Sequence, residues 1–209
     1  MQNQHESAQA LQVLSDMRPV FDTAPNTVSI AYVIRACAQD AGSWARKAKR
    51  IVDEMPTVFG LRPDILVLNA LMTVHANAGD AHAAAELLQA MPRTYSVVPT
   101  AKTFELALSA CNSREGLKSM NALVMEMAHA LGVKTSHGMV LMIMRGLVST
   151  GYHKHAANIL ETMEQGTGLK PTLGILHEYM RGFVHPNVSE GGVEHLRKFM
   201  KGMKKMFDV

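Results

Sequence analysis

A short pattern recurs six times along this 209-residue chain. Ala10-Leu11-Gln12-Val13-Leu14-Ser15-Asp16-Met17 reappears as Ala48–Met55, Ala84–Met91, Met120–Met127, Ala156–Met163 and Val193–Met200. Each copy opens on a small or apolar residue, carries apolar residues in its middle and closes on Met seven residues later. The closing residues Met17, Met55, Met91, Met127, Met163 and Met200 are spaced by 38, 36, 36, 36 and 37 residues. A period in that range belongs to stacked supersecondary units, each too small to bury its own apolar face. The expected architecture is an elongated array, and arrays of this kind work as extended binding surfaces.

Turn residues punctuate the same period. Pro25-Asn26, Pro63-Asp64, Pro99-Thr100, Lys134-Thr135 and Pro171-Thr172 fall at one equivalent place. Pro cannot continue a helix, and Asn, Asp or Thr after it can cap the next one. A second mark falls mid-unit at Gly42, Gly79, Gly116 and Gly151, where Gly suits a tight helix-to-helix turn. Each unit therefore reads as a helix, a Gly turn, a second helix and a short loop. The predicted order is a leading second helix over 6–17, then helix pairs 27–40 with 43–56, 64–78 with 80–91, 100–112 with 114–131, 136–149 with 152–165, and 172–184 with 190–206. Gly166-Thr167-Gly168 reads as a lengthened loop. All of residues 1–209 form one array, with units at about 26–63, 64–99, 100–134, 135–171 and 172–206. The fold class is all-α, a right-handed α-solenoid of stacked helix-turn-helix repeats. A solenoid that opens on a second helix leaves Leu11, Leu14 and Met17 without a mate, so this face is expected to be covered by further chain or a partner.

Composition narrows the function. The hydrophobic share of 47% supports a packed protein without long disordered tails. The 16 Met residues, against an aromatic share of 5%, suit gap-filling between helices. A net charge of +3 is mildly basic, far from a strongly cationic nucleic-acid binder. One dense basic run, Arg197, Lys198, Lys201, Lys204 and Lys205, is either the solvated face of a last helix or a contact to phosphate. Cys37 and Cys111 lie 74 residues apart, two units, too far for a disulfide, and read as small buried packing residues. No apolar run approaches the ~20 residues that a membrane-spanning helix needs. No presequence is visible ahead of Arg18; a removed presequence or a fragment of a longer chain is the expected reason.

The junctions and interiors together resemble the pentatricopeptide repeat family. The resemblance rests on Pro63-Asp64-Ile65-Leu66-Val67-Leu68-Asn69-Ala70-Leu71-Met72, on Ala78-Gly79-Asp80, and on Ala84-Ala85-Glu86-Leu87-Leu88-Gln89-Ala90-Met91. Gly60-Leu61-Arg62-Pro63-Asp64 and Gly168-Leu169-Lys170-Pro171-Thr172 match the family's unit ending, and the likeness runs over about residues 7–206. The tetratricopeptide repeat, with a 34-residue period, expects Trp, Leu-Gly and Tyr in its first helix, which no unit here shows.

The resemblance implies an organellar protein, of the mitochondrion or plastid, that binds single-stranded RNA at one base per unit. It places base readers on the first helices at Ala31, Asn69, Glu105, Val140 and His177, with partners at Asp64, Thr100, Thr135 and Thr172. Only Asn69 is the polar type that the family uses. Ala31 and Val140 cannot hydrogen-bond a base edge, and Glu105 repels phosphate. The Lys that the family often sets before the Gly turn is replaced by Gln39, Asn77 and Ser113. Positive charge instead sits at Arg35, Lys102, Arg145 and Arg181 on first helices, and in the C-terminal run. The expected function is thus a non-catalytic, RNA-associated component of a ribonucleoprotein such as an organellar ribosome, with RNA or proteins of that assembly as partners. A free sequence-specific RNA-binding factor and a protein scaffold without RNA are the alternatives.

Catalytic and metal chemistry find no support in the sequence. The deaminase-like tail of some relatives needs Cys-x-x-Cys, and the nuclease domain of the protein-only ribonuclease P class needs clustered Asp. Two cysteines, and Asp208 as the sole Asp in the last 25 residues, supply neither. His153 and His155 point to different faces of a helix start, and His75 and His82 straddle a turn with no third ligand. No cofactor and no metal is expected.

Overall fold

The computed structural model describes residues 9, 12–20, 22–38 and 41–182. Among them there is no strand. Nine α-helices among the described residues follow the leading segment: α1 (Thr27–Cys37), α2 (Ala41–Glu54), α3 (Ile65–Ala78), α4 (Ala81–Arg93), α5 (Ala101–Ser109), α6 (Arg114–Ala130), α7 (His137–Ser149), α8 (His153–Thr167) and α9 (Leu173–Arg181). The expected last helix over 190–206, with Arg197, Lys198, Lys201, Lys204 and Lys205, lies outside the described residues, as does Leu11.

Side-chain caps start the first helices. Asn26, Asp64, Thr100 and Thr172 each accept a backbone N–H from the first turn of α1, α3, α5 and α9. Such a cap contributes ~1 kcal/mol. In the fourth unit the cap is Ser136, which accepts from Met139 N, so α7 starts one residue later than the Lys134-Thr135 pair predicts. The Gly turns differ as well. Gly79 and Gly151 do take left-handed backbone, with φ of +66° and +81°. Gly42 and Gly116 instead lie inside α2 and α6, and Ser113 caps α6 by accepting from Gly116 N. The lengthened loop expected at Gly166-Thr167-Gly168 is mostly helix. Thr167 Oγ1 donates back to Met163 O, and Gly168 ends α8 in left-handed backbone at φ +71°. At the end of α2, Pro56 has no N–H to return to the preceding turn. The chain continues as a π turn, Met55–Phe59, closed by Gly60 N donating to Met55 O.

Packing runs from each unit to the next. α1, α3, α5, α7 and α9 pack in succession as one layer, and each second helix packs on its own first helix and on the next. Of the second helices, α4 and α6 pack on each other. The recurring Met fills these seams: Met55, Met91 and Met163 are buried, and Met127 packs partly buried against the core that holds Met55 and Met91. Phe104, Leu68 and Leu108 are fully buried between layers, at ~1.5–3 kcal/mol each. The leading segment is no orphan. Leu14 is buried and Met17 partly so, both against the core of the same chain. Leu14 lines a cleft with Pro25, Ile51 and Phe59. The unmated flank expected there is therefore filled from within at Leu14 and Met17, because the end of α2 reaches back to it. Val13 and Val20 remain exposed.

Candidate nucleic-acid interface

The caps give every first helix a common register. Counted from Asn26, Asp64, Thr100, Ser136 and Thr172, the second, fifth and ninth residues fall on one stripe, as residues three and four apart do on a helix. That stripe reads Val28-Ala31-Arg35, Leu66-Asn69-Thr73, Lys102-Glu105-Ser109, Gly138-Leu141-Arg145 and Gly174-His177-Arg181. The fourth residues, Ile30, Leu68, Phe104, Val140 and Leu176, are buried in every unit. Val140 is thus a core residue, and Leu141 takes the place that the sequence assigns to it. The cap at Ser136 causes the shift.

The fifth place is accordingly poor in groups that could read a base. Ala31 is only 8% exposed. Asn69 is half-buried, and its Oδ1 accepts from Thr103 Oγ1 at 2.8 Å. Thr103 is fully buried at the start of the next first helix, where it also accepts from Thr100 N at 3.1 Å. Glu105 repeats this arrangement one unit on. Its Oε1 accepts from the capping hydroxyl of Ser136 at 2.8 Å, while Lys102 Nζ lies 3.6 Å from Oε2. Gly138 makes room for the carboxylate, since a Cβ there would collide with Glu105 Oε1. His177 is exposed. The partner positions are also occupied: Asp64, Thr100 and Thr172 are the helix caps themselves, and Thr135 is half-buried beside Ser136. Asn77, in the place before the Gly turn, donates to Ala38 O of the preceding unit at 2.9 Å.

The ninth place carries the charge. Arg35, Arg145 and Arg181 are exposed there, while Thr73 and Ser109 donate to carbonyls of their own helices. Arg145 and Arg181 both reach Glu178, whose carboxylate is buried. Sequence reading missed two features of this face. One is Glu178 itself, in a helix place that holds Ala70, Leu106 and Met142 in the three units before it. The other is the exposed aliphatic pair Val28 and Leu66; Tyr32 is exposed too. Their signal was available, because an apolar residue two places after a cap lies on the face that carries Asn69.

Other titratable groups sit off this face. Burial lowers the pKa of His75, and burial pushes the Cys111 thiol up to about 11. The Cys111 side chain is half-buried, with Sγ 3.5 Å from Gly116 O. Among the described residues no three His, Cys, Asp or Glu side chains are disposed to hold a metal ion. No described helix is long and apolar enough to cross a membrane.

Stacked helical hairpins with a polar stripe on one layer define an α-helical repeat protein. Residues 50–114, from the second half of α2 to the first residue of α6, match the pentatricopeptide repeat domain. Proteins of this class are RNA-associated and generally non-catalytic. No curated protein matches the chain.

Proposed function

We propose that the chain is a non-catalytic, RNA-associated repeat protein of a mitochondrion or plastid, built into a ribonucleoprotein such as an organellar ribosome. Its repeats extend over the whole of residues 1–209, in the units given above. The observation that carries this reading is the state of the fifth place on the first helices. Asn69 and Glu105 are tied to the following unit, and Ala31 is buried. Base discrimination takes satisfied edge contacts of ~1–3 kcal/mol each, and these positions do not offer them. RNA is then held through phosphate, by Arg35, Lys102, Arg145, Arg181 and the basic run Arg197, Lys198, Lys201, Lys204 and Lys205. Proteins of the same assembly cover the remaining surface. Val28 and Leu66 give the face apolar patches on which any base can rest, without regard to its identity.

Fractionation of native organelle extract tests the reading. Co-migration of the chain with a ribosomal subunit, lost on ribonuclease treatment, is the expected result. Migration as a free protein with a single bound transcript favours a sequence-specific factor instead. Migration unaffected by ribonuclease, in a complex free of RNA, favours a protein scaffold.

A further inference from the structure

Glu178 is the one buried carboxylate among the described residues. It sits in the middle of α9, facing the preceding unit. Its Oε1 lies 3.4 Å from Arg145 Nε of α7 and 3.4 Å from Arg181 Nη1 of its own helix. Arg145 Nη2 donates to Oε2 at 3.4 Å. Two successive units therefore send guanidinium groups to one buried anchor. The carboxylate side chain is 8% exposed, whereas the Arg145 and Arg181 side chains are 52% and 67% exposed.

A buried carboxylate is costly unless paired, and two cations over-pair it. Two guanidiniums against one carboxylate leave a net positive charge at the surface. Each guanidinium has five N–H donors in a fixed planar fork. Glu178 takes two groups of Arg145 and one of Arg181, so donors of both remain for a second acceptor. Arg35 supplies an internal comparison. It holds the same ninth place, but the residue of the next unit that corresponds to Glu178 is Ala70. Arg35 has no such anchor.

We propose that Arg145, Arg181 and Glu178 form a clamp for one phosphodiester of single-stranded RNA, with Glu178 as the positioning residue that presets both arginines. The proposal rests on the RNA-associated reading above. Phosphate suits the site because planar forks bind its oxygens in pairs. Preset arginines lose little side-chain entropy on binding, which Arg35 does not share.

The test is binding of a labelled 12-nucleotide oligouridylate across a series of NaCl concentrations, read by fluorescence anisotropy. Circular dichroism confirms that each variant is folded. Neutralising one phosphate contact on a single strand contributes ~0.7 to the log–log salt slope. Arg145→Gln, Arg181→Gln and the double variant should each lower the slope by ~0.7, and each should weaken binding about tenfold. The non-additivity is the signature of two arginines on one phosphate. Glu178→Gln should weaken binding although it removes a negative charge, and Glu178→Asp should restore part of the loss. Arg181→Gln alone suffices if Arg145 variants fail to fold, because its contact to Glu178 is single.

No binding of the wild-type chain to RNA at any salt overturns both the RNA reading and the clamp. RNA binding left unchanged by Arg181→Gln overturns the clamp alone. Additive slope losses, or tighter binding by Glu178→Gln, overturn it equally. Displacement of RNA by polyglutamate at equal charge concentration would assign the site to an acidic polypeptide and overturn it too.

Discussion

Asn69 and Thr103, thirty-four residues apart in sequence, share a hydrogen bond across the seam between two units: Thr103 Oγ1 donates to Asn69 Oδ1 at 2.8 Å. The side chain that most resembles a base reader is thereby a structural tie. Asn69→Ala should cost ~1 kcal/mol, and Thr103→Val more, since it also takes the acceptor from Thr100 N; the double variant should cost less than their sum, because both remove the bond between them. Urea denaturation of the four proteins measures this. Full additivity would mean that the bond contributes nothing.

Gly138 and Glu105 form the equivalent seam one unit later. Gly→Ala inside a helix usually gains ~0.5–1 kcal/mol. At Gly138 the new Cβ displaces the Glu105 carboxylate from Ser136, so the gain should vanish in the wild-type background. It should reappear when Glu105 is first changed to Ala. Thermal melts of the two Gly138→Ala proteins against their parents check it.

These seams mark the boundary of what the sequence makes legible. Helix positions followed from Pro and the caps after it, since capping and helix period are local rules. Lys134-Thr135 points one residue too early: Thr135 and Ser136 can both cap, and the helix starts from Ser136, which accepts from Met139 N. Gly42 and Gly116 looked like turn residues because Gly alone does not say whether its φ is positive. Asn69 with Thr103, Glu105 with Ser136, and Glu178 with Arg145 all join different units. Their pairing depends on how helices stack, which no local spacing encodes.

His75 is buried in α3, and its Nδ1 has no hydrogen-bond partner. Burial lowers its pKa below 6.5, a shift opposed by Asp80 and Glu86 and aided by Lys49. The unfolded chain therefore takes up the proton first as pH falls. Stability should be full above pH 6.5 and decline below it, until the folded state also protonates. Urea midpoints between pH 7.5 and 5 should show this slope, and His75→Leu should flatten it.

Cys111 has its thiol pKa raised from 9.0 to about 11 by burial. At neutral pH this leaves ~100-fold less thiolate than an ordinary cysteine has. Alkylation by iodoacetamide, followed by mass mapping of the Cys111 peptide, should be slow in the folded chain. It should become fast in urea.

Under the proposed function the array holds RNA by its phosphates rather than by reading its bases. The most direct measurement is affinity for a panel of unrelated single-stranded RNAs of equal length, with the wild-type chain, Asn69→Ala, and Lys201, Lys204 and Lys205 changed together to Glu. Similar affinities across the panel and steep weakening with salt are the expected result. Asn69→Ala should have little effect, and the triple charge reversal should bring a uniform loss. One strongly preferred RNA, lost on Asn69→Ala and kept by the triple variant, would contradict it.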